Sequence, residues 1–150
     1  MTPATIISRT DLARRTRQVV DQARRGHIFV VESYGEEQVA ILDILDYHLL
    51  CAVAAYRTSA PSQVPTRADV GLTDEAVQQA VAQAEGNVQA AWNIVMAAYL
   101  EERISLGRAA QLLNLSRFDL LERFHRLGLP LNLGPTSADE ARAEFEALQA

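Results

Sequence analysis

A single cysteine, Cys51, stands in 150 residues, so the chain can form no intrachain disulfide and no thiolate metal cluster. It sits in the apolar run YHLLCAVAAY, where a small buried hydrophobe is the expected role. Lysine is missing altogether, and all 14 basic residues are arginine. No window approaches the roughly 18 apolar residues that cross a membrane, so no membrane partner is expected. The first residues carry no basic-then-apolar leader, and the expectation is a soluble cytoplasmic protein.

Catalytic signatures are scarce as well. His27, His48 and His125 are scattered, with no pair at metal-ligand spacing beside a third ligand. There is no nucleophile motif and no glycine loop that would cradle a phosphate. Neither enzymatic activity nor a cofactor is expected.

What is present is an uneven charge. The net charge is −5, yet residues 1–26 hold Arg9, Arg14, Arg15, Arg17, Arg24 and Arg25 against only Asp11 and Asp21. A basic arm on an acidic protein can meet phosphate, while the acidic remainder argues against nucleic-acid contact over the whole surface.

The segment ATIIS reads as a short strand, and RTDLARRTRQVVDQARRG as a helix with Thr10 as a plausible N-cap and Gly26 as its stop. Leu12, Thr16, Val19, Val20 and Ala23 share one face, and Arg14, Arg17, Arg24 and Arg25 gather on another. HIFVVES and QVAILD, joined by YGEE, read as a hairpin. ILDYHLLCAVAAY reads as a helix that Asp43 or Asp46 could cap. That helix is apolar almost all round and must be covered on several faces. About sixty residues cannot supply the cover alone, which implies a homodimer interface, with a higher oligomer open.

Residues 58–71 form the linker candidate, with prolines and small polar residues. The remainder, 72–150, reads as all helical. Thr73 can cap DEAVQQAVAQAEG, Gly86-Asn87 interrupts, and VQAAWNIVMAAYLEER carries Trp92, Val95, Met96, Tyr99 and Leu100 at core spacing. Ser105 can cap LGRAAQLLN, Asn114 closes it, Ser116 can cap RFDLLERFHRL, and Gly128 ends it. The turn between these two helices suits a helix-turn-helix. Ala109, Ala110, Leu112 and Leu113 would pack on Phe118, Leu121 and Phe124. If this unit read DNA, it would do so through residues 116–127, with Ser116, Arg117 and Arg123 as the candidate contacts. Asp119 and Glu122 would then face phosphate repulsion, so packing or protein binding is the stronger reading. The tail TSADEARAEFEALQA is expected as an acidic final helix.

The N-terminal third resembles antitoxins of the Phd/YefM type. The resemblance rests on Ser8, Leu12, Gly26, Ile28–Val31, Gly35 and Val39–Leu42. The turn departs from the family, with Glu36 and Glu37 where a basic residue usually flanks the glycine. The second half is similar to a small helix-turn-helix family often encoded beside PIN-domain nucleases, through Ile104–Gly107, Ala109-Ala110, Leu115-Ser116 and Gly128–Pro130.

The first resemblance implies a type II antitoxin that dimerises through its N-terminal domain. Such a protein represses its own operator and neutralises a toxin, here a PIN-domain or other ribonuclease. Together with the charge split, it places Arg9, Thr10, Arg14, Arg15 and Arg17 near operator DNA. The alternative is a helix-turn-helix transcription regulator with no toxin. The fold expectation is α+β: a small dimerising N-terminal sheet domain with helices over 1–57, then an all-α helix-turn-helix-like domain over 72–150 that serves as the toxin-binding module.

Overall fold

The computed structural model describes residues 2–59 and 74–131. The expected linker beyond Ser59, the Thr73 cap and the final acidic helix lie outside the described residues. The fold class is α+β, with a three-stranded sheet at the N-terminal end and helices after it.

Strand β1 (Thr5–Ser8) leads directly into helix α1 (Arg9–Arg14). The cap is Ser8 rather than Thr10: the Ser8 hydroxyl accepts the Asp11 N–H at 3.1 Å. A β-region residue with a short hydroxyl satisfies a donor that the first turn cannot. Thr10 therefore sits inside the first turn. The expected single helix is broken at Arg15, whose φ of −126° and ψ of 29° are not helical. Thr16 donates its hydroxyl to the Leu12 carbonyl at 2.7 Å, a back-bond of the kind that bends helices. Helix α2 (Thr16–Arg24) resumes beyond the break.

Strands β2 (Phe29–Ser33) and β3 (Glu36–Ile41) form the expected hairpin. Its two turn residues, Tyr34 and Gly35, both have positive φ, 55° and 78°, as a tight two-residue hairpin turn requires. The sheet order is β1-β2-β3, with β1 parallel to β2 and β2 antiparallel to β3. A small core of Ile7, Val19, Ala23, Phe29 and Val31 lies between the sheet and α2, with Leu12 and Ile41 at its margin. Val20 is exposed instead of sharing that face.

Helix α3 (Ile44–Ser59) leaves this small unit and joins a larger core. Its Leu49, Ala52 and Val53 cluster with Trp92, Val95, Met96 and Tyr99 of α5 (Val88–Leu100) and with residues of α6 (Leu106–Leu112) and α7 (Arg117–Leu127). Helix α4 (Asp74–Gln83) adds Val77. The cover that the apolar sequence of α3 demands is thus supplied largely within the chain. What remains open is a stripe at Ile44, Tyr47 and Leu50.

The helix-turn-helix pair forms as the caps predict. Ser105 accepts from the Arg108 N–H, Ser116 accepts from the Asp119 N–H, and Asn114 turns the chain with a φ of 56°. Gly128, at φ 65°, ends α7, and the Leu129 N–H returns to the Phe124 carbonyl at 3.0 Å. Tyr99 and Phe124 meet edge to face, with centroids 5.6 Å apart. Phe118 was expected in this core but is 79% exposed.

Candidate nucleic-acid interface

The break at Arg15 turns the basic segment into a shallow bent surface. Arg14, Arg15, Arg17 and Arg25 line one open cleft along α1 and α2, with Gln18 and Gln22 between them and Asp21 at its side. Arg9, at the start of α1, is exposed, as are Thr10 and Arg24. The opposite face of α2 is anchored by the burial of Val19 and Ala23, which forces the polar positions outward. Among the described residues, no carboxylate pairs with Arg9, Arg14, Arg15, Arg17, Arg24 or Arg25. Six guanidiniums held without partners keep their donors available to an anion, and guanidinium suits bidentate contact with phosphate.

The alternative contacts on α7 are disposed differently. Ser116 spends its hydroxyl on the helix cap, accepting the Asp119 N–H and donating to the Asp119 carboxylate at 2.7 Å. Arg117 is exposed. Arg123 points inward. Its Nη1 donates to Asp43 Oδ1 at 2.7 Å and to Asp46 Oδ1 at 2.6 Å. Arg126, one turn on, clasps the same Asp46 with Nε and Nη2, both at 2.9 Å. A guanidinium held by two carboxylates is not free to read a base edge, so Arg123 is withdrawn from the DNA contacts proposed for residues 116–127.

This cluster joins the two halves of the chain. Asp43 and Asp46 stand at the start of α3, and Asp43 Oδ1 also accepts the Leu45 N–H at 3.0 Å. Asp46 is fully buried, and the side chains of Arg123 and Arg126 are 14% and 11% exposed. Two arginines and two aspartates cancel, which makes the burial tolerable. The hydrogen bonds to Asp46 raise the Arg126 pKa above its already high ordinary value, and its charge is fixed. Around the cluster, the Thr2 N–H donates to the Arg126 carbonyl at 3.0 Å, and Gly26 lies hard against the Arg126 guanidinium.

Sequence reasoning noted Asp43 and Asp46 as caps and Arg123 as a DNA contact, and passed over Arg126. The available signal was weak: an Asp pair and an Arg pair, each spaced by three residues, about eighty residues apart. A second polar contact ties α3 to α5. His48 Nδ1 lies 2.6 Å from Gln89 Oε1, Gln89 donates to the His48 carbonyl, and the His48 ring stacks on Trp92. His48 is thus a packing residue. Among the described residues, no three His, Cys, Asp or Glu side chains gather as a metal site. No helix of the described residues is long and apolar enough to cross a membrane.

The fold and the site together define an α+β protein with an arginine-lined helical face, joined by a buried ion cluster to a helix-turn-helix-like half. Residues 70–150 match the model of the Uncharacterised protein family (UPF0175), and the chain, more than half of it matched, belongs to that family. The match begins just after the N-terminal unit and covers the helix-turn-helix stretch. No curated protein matches the chain, and no solved structure does.

Proposed function

We propose that this chain is the antitoxin of a type II toxin-antitoxin pair. It is a binding protein that holds its own operator through α1 and α2 and neutralises a ribonuclease toxin through its family half. The observation that carries this reading is the set of arginines on α1 and α2, four of them lining one cleft, that have no carboxylate partner among the described residues of a chain whose net charge is −5. Phosphate neutralisation by such a surface supplies affinity and register on a duplex. The likeness of the first third to Phd/YefM antitoxins supports the operator role. The acidic balance of residues 58–150 suits a partner with a cationic RNA-binding site.

The test uses the full-length chain and a labelled duplex from its own upstream sequence, titrated over a series of salt concentrations. The expected result is binding that weakens log-linearly with salt, and a slope about 2 smaller for the double variant R14A/R17A, one for each phosphate contact removed. Flat salt dependence removes the DNA role, and an unchanged slope in that variant removes α1 and α2 from it. The toxin role is checked separately: the product of the adjacent reading frame should co-purify with the full chain and lose its ribonuclease activity in the complex. The regulator alternative makes the opposite prediction for α7, with R117A abolishing operator binding and R14A/R17A sparing it.

A further inference from the structure

Arg25 lines two clefts. One is the arginine cleft along α1 and α2, and the other lies across the junction, where Arg25, Gly26 and His27 face Glu122, His125 and Arg126 of α7, with Thr2 at the rim. We propose that the phosphate-binding surface does not stop at the end of α2 but continues through this junction cleft, so that one DNA duplex is held by both halves of the chain at once.

This rests on the DNA reading above and extends it to residues which that reading leaves unused. Helix α2, Thr16–Arg24, rises roughly 12 Å, the axial length of between three and four phosphates on one strand. A duplex lying along α1 and α2 therefore runs off the end of α2 and meets α7 next. There it finds exposed His27 and His125, with Arg126 as the floor. Asp46 fixes the Arg126 guanidinium with two hydrogen bonds, and the Arg126 backbone carbonyl is held by the Thr2 N–H, so Arg126 shapes the cleft floor while Arg25 offers its donors to an anion.

The charge of the cleft is set by its walls. Arg25 and Arg126 are positive and Glu122 is negative, its carboxylate 3.8 Å from Arg126 Nη1 and 73% exposed. His27 has its Nδ1 at 3.2 Å from the Gln22 carbonyl, and its other ring nitrogen can serve an anion. His125 stands one turn beyond Glu122 on α7. Asp21 borders the arginine cleft, and Asp46 and Asp43 lie behind Arg126 and Arg123, each already paired.

The experiment compares the full-length wild type with R14A/R17A, R25A and H27A/H125A on the same labelled upstream duplex, each over a salt series. All substituted side chains are exposed, and thermal melting confirms that each variant is folded. The expected result is a salt slope about 1 smaller for R25A than for wild type, and weaker duplex binding by H27A/H125A. If wild type binds and R14A/R17A weakens it, while H27A/H125A and R25A bind as wild type does, the junction cleft is not part of the surface and the DNA reading stands. If wild type shows no salt-dependent duplex binding, or prefers single-stranded RNA of the same sequence, both fall together.

Discussion

Asp46 accepts Arg123 and Arg126 of α7 with no exposure to solvent, and this makes the consequence of losing it large. Removing Asp46 leaves Arg123 to Asp43 alone and takes the buried partner from Arg126, and breaking a buried pair costs about 3–5 kcal/mol. Asp46→Ala should lower the unfolding free energy from urea titration by that amount, and Asp46→Asn, which keeps the volume but not the charge, should recover little of it. Glu122 provides the contrast on the same Arg126, because its contact is long and its side chain open to water. Glu122→Ala should shift stability by less than about 0.5 kcal/mol. A comparable loss in the two variants would mean that burial does not set the value of these pairs. Gly26 carries a related constraint. Its φ is +100°, and a β-carbon there would run into the Arg126 guanidinium that Asp46 pins. Gly26→Ala should therefore destabilise the chain despite the general benefit of exchanging glycine for alanine. Equilibrium unfolding would show this as a lower midpoint, and an unchanged or raised one would contradict the close packing at the junction.

Among the helices and strands, those whose boundaries rest on local chemistry were readable from the sequence. The Ser105 and Ser116 caps, the Asn114 turn and the Gly128 stop define α6 and α7 because each acts on backbone groups three or four residues away. The hairpin was readable for the same reason. The break at Arg15 was not, since it depends on a Thr16 back-bond and on packing over the small core. For α3 the periodicity specified that cover was needed but not where it would come from. Leu49, Ala52 and Val53 find it in α5 and its neighbours, whereas Ile44, Tyr47 and Leu50 stay open. The sequence expectation of a homodimer makes that open stripe the face to test. If two copies dock there, Tyr47→Glu with Leu50→Glu should convert a dimer to monomer in sedimentation, with little change in melting of the monomer. If the chain sediments as a monomer before substitution, the stripe does not join two copies.

The two halves differ in charge and in the residues of their cores, and α3, which the sequence assigns to the first half, packs Leu49, Ala52 and Val53 into the core of the second. The basic face of α1 and α2 was visible as six arginines within 26 residues. The junction was invisible because it consists of pairings across about eighty residues, between carboxylates that resemble caps and arginines that resemble DNA contacts. A fragment ending at residue 57 keeps α1, α2 and the sheet but strips α3 of its cover, baring Leu49, Ala52 and Val53 and leaving Asp43 and Asp46 without their arginines. Burying those three side chains contributes on the order of 1.5–3 kcal/mol for each large one, comparable with the whole stability of a small domain. The intact chain should accordingly unfold in one transition seen alike by Trp92 fluorescence and by circular dichroism, with the N-terminal sheet lost together with the helical core. The 1–57 fragment should be unfolded or self-associated at concentrations where the full chain is folded. Two separated transitions, with a soluble and monomeric fragment, would show instead that the ion cluster fastens two units that fold independently. DNA binding could then be assigned to the fragment alone.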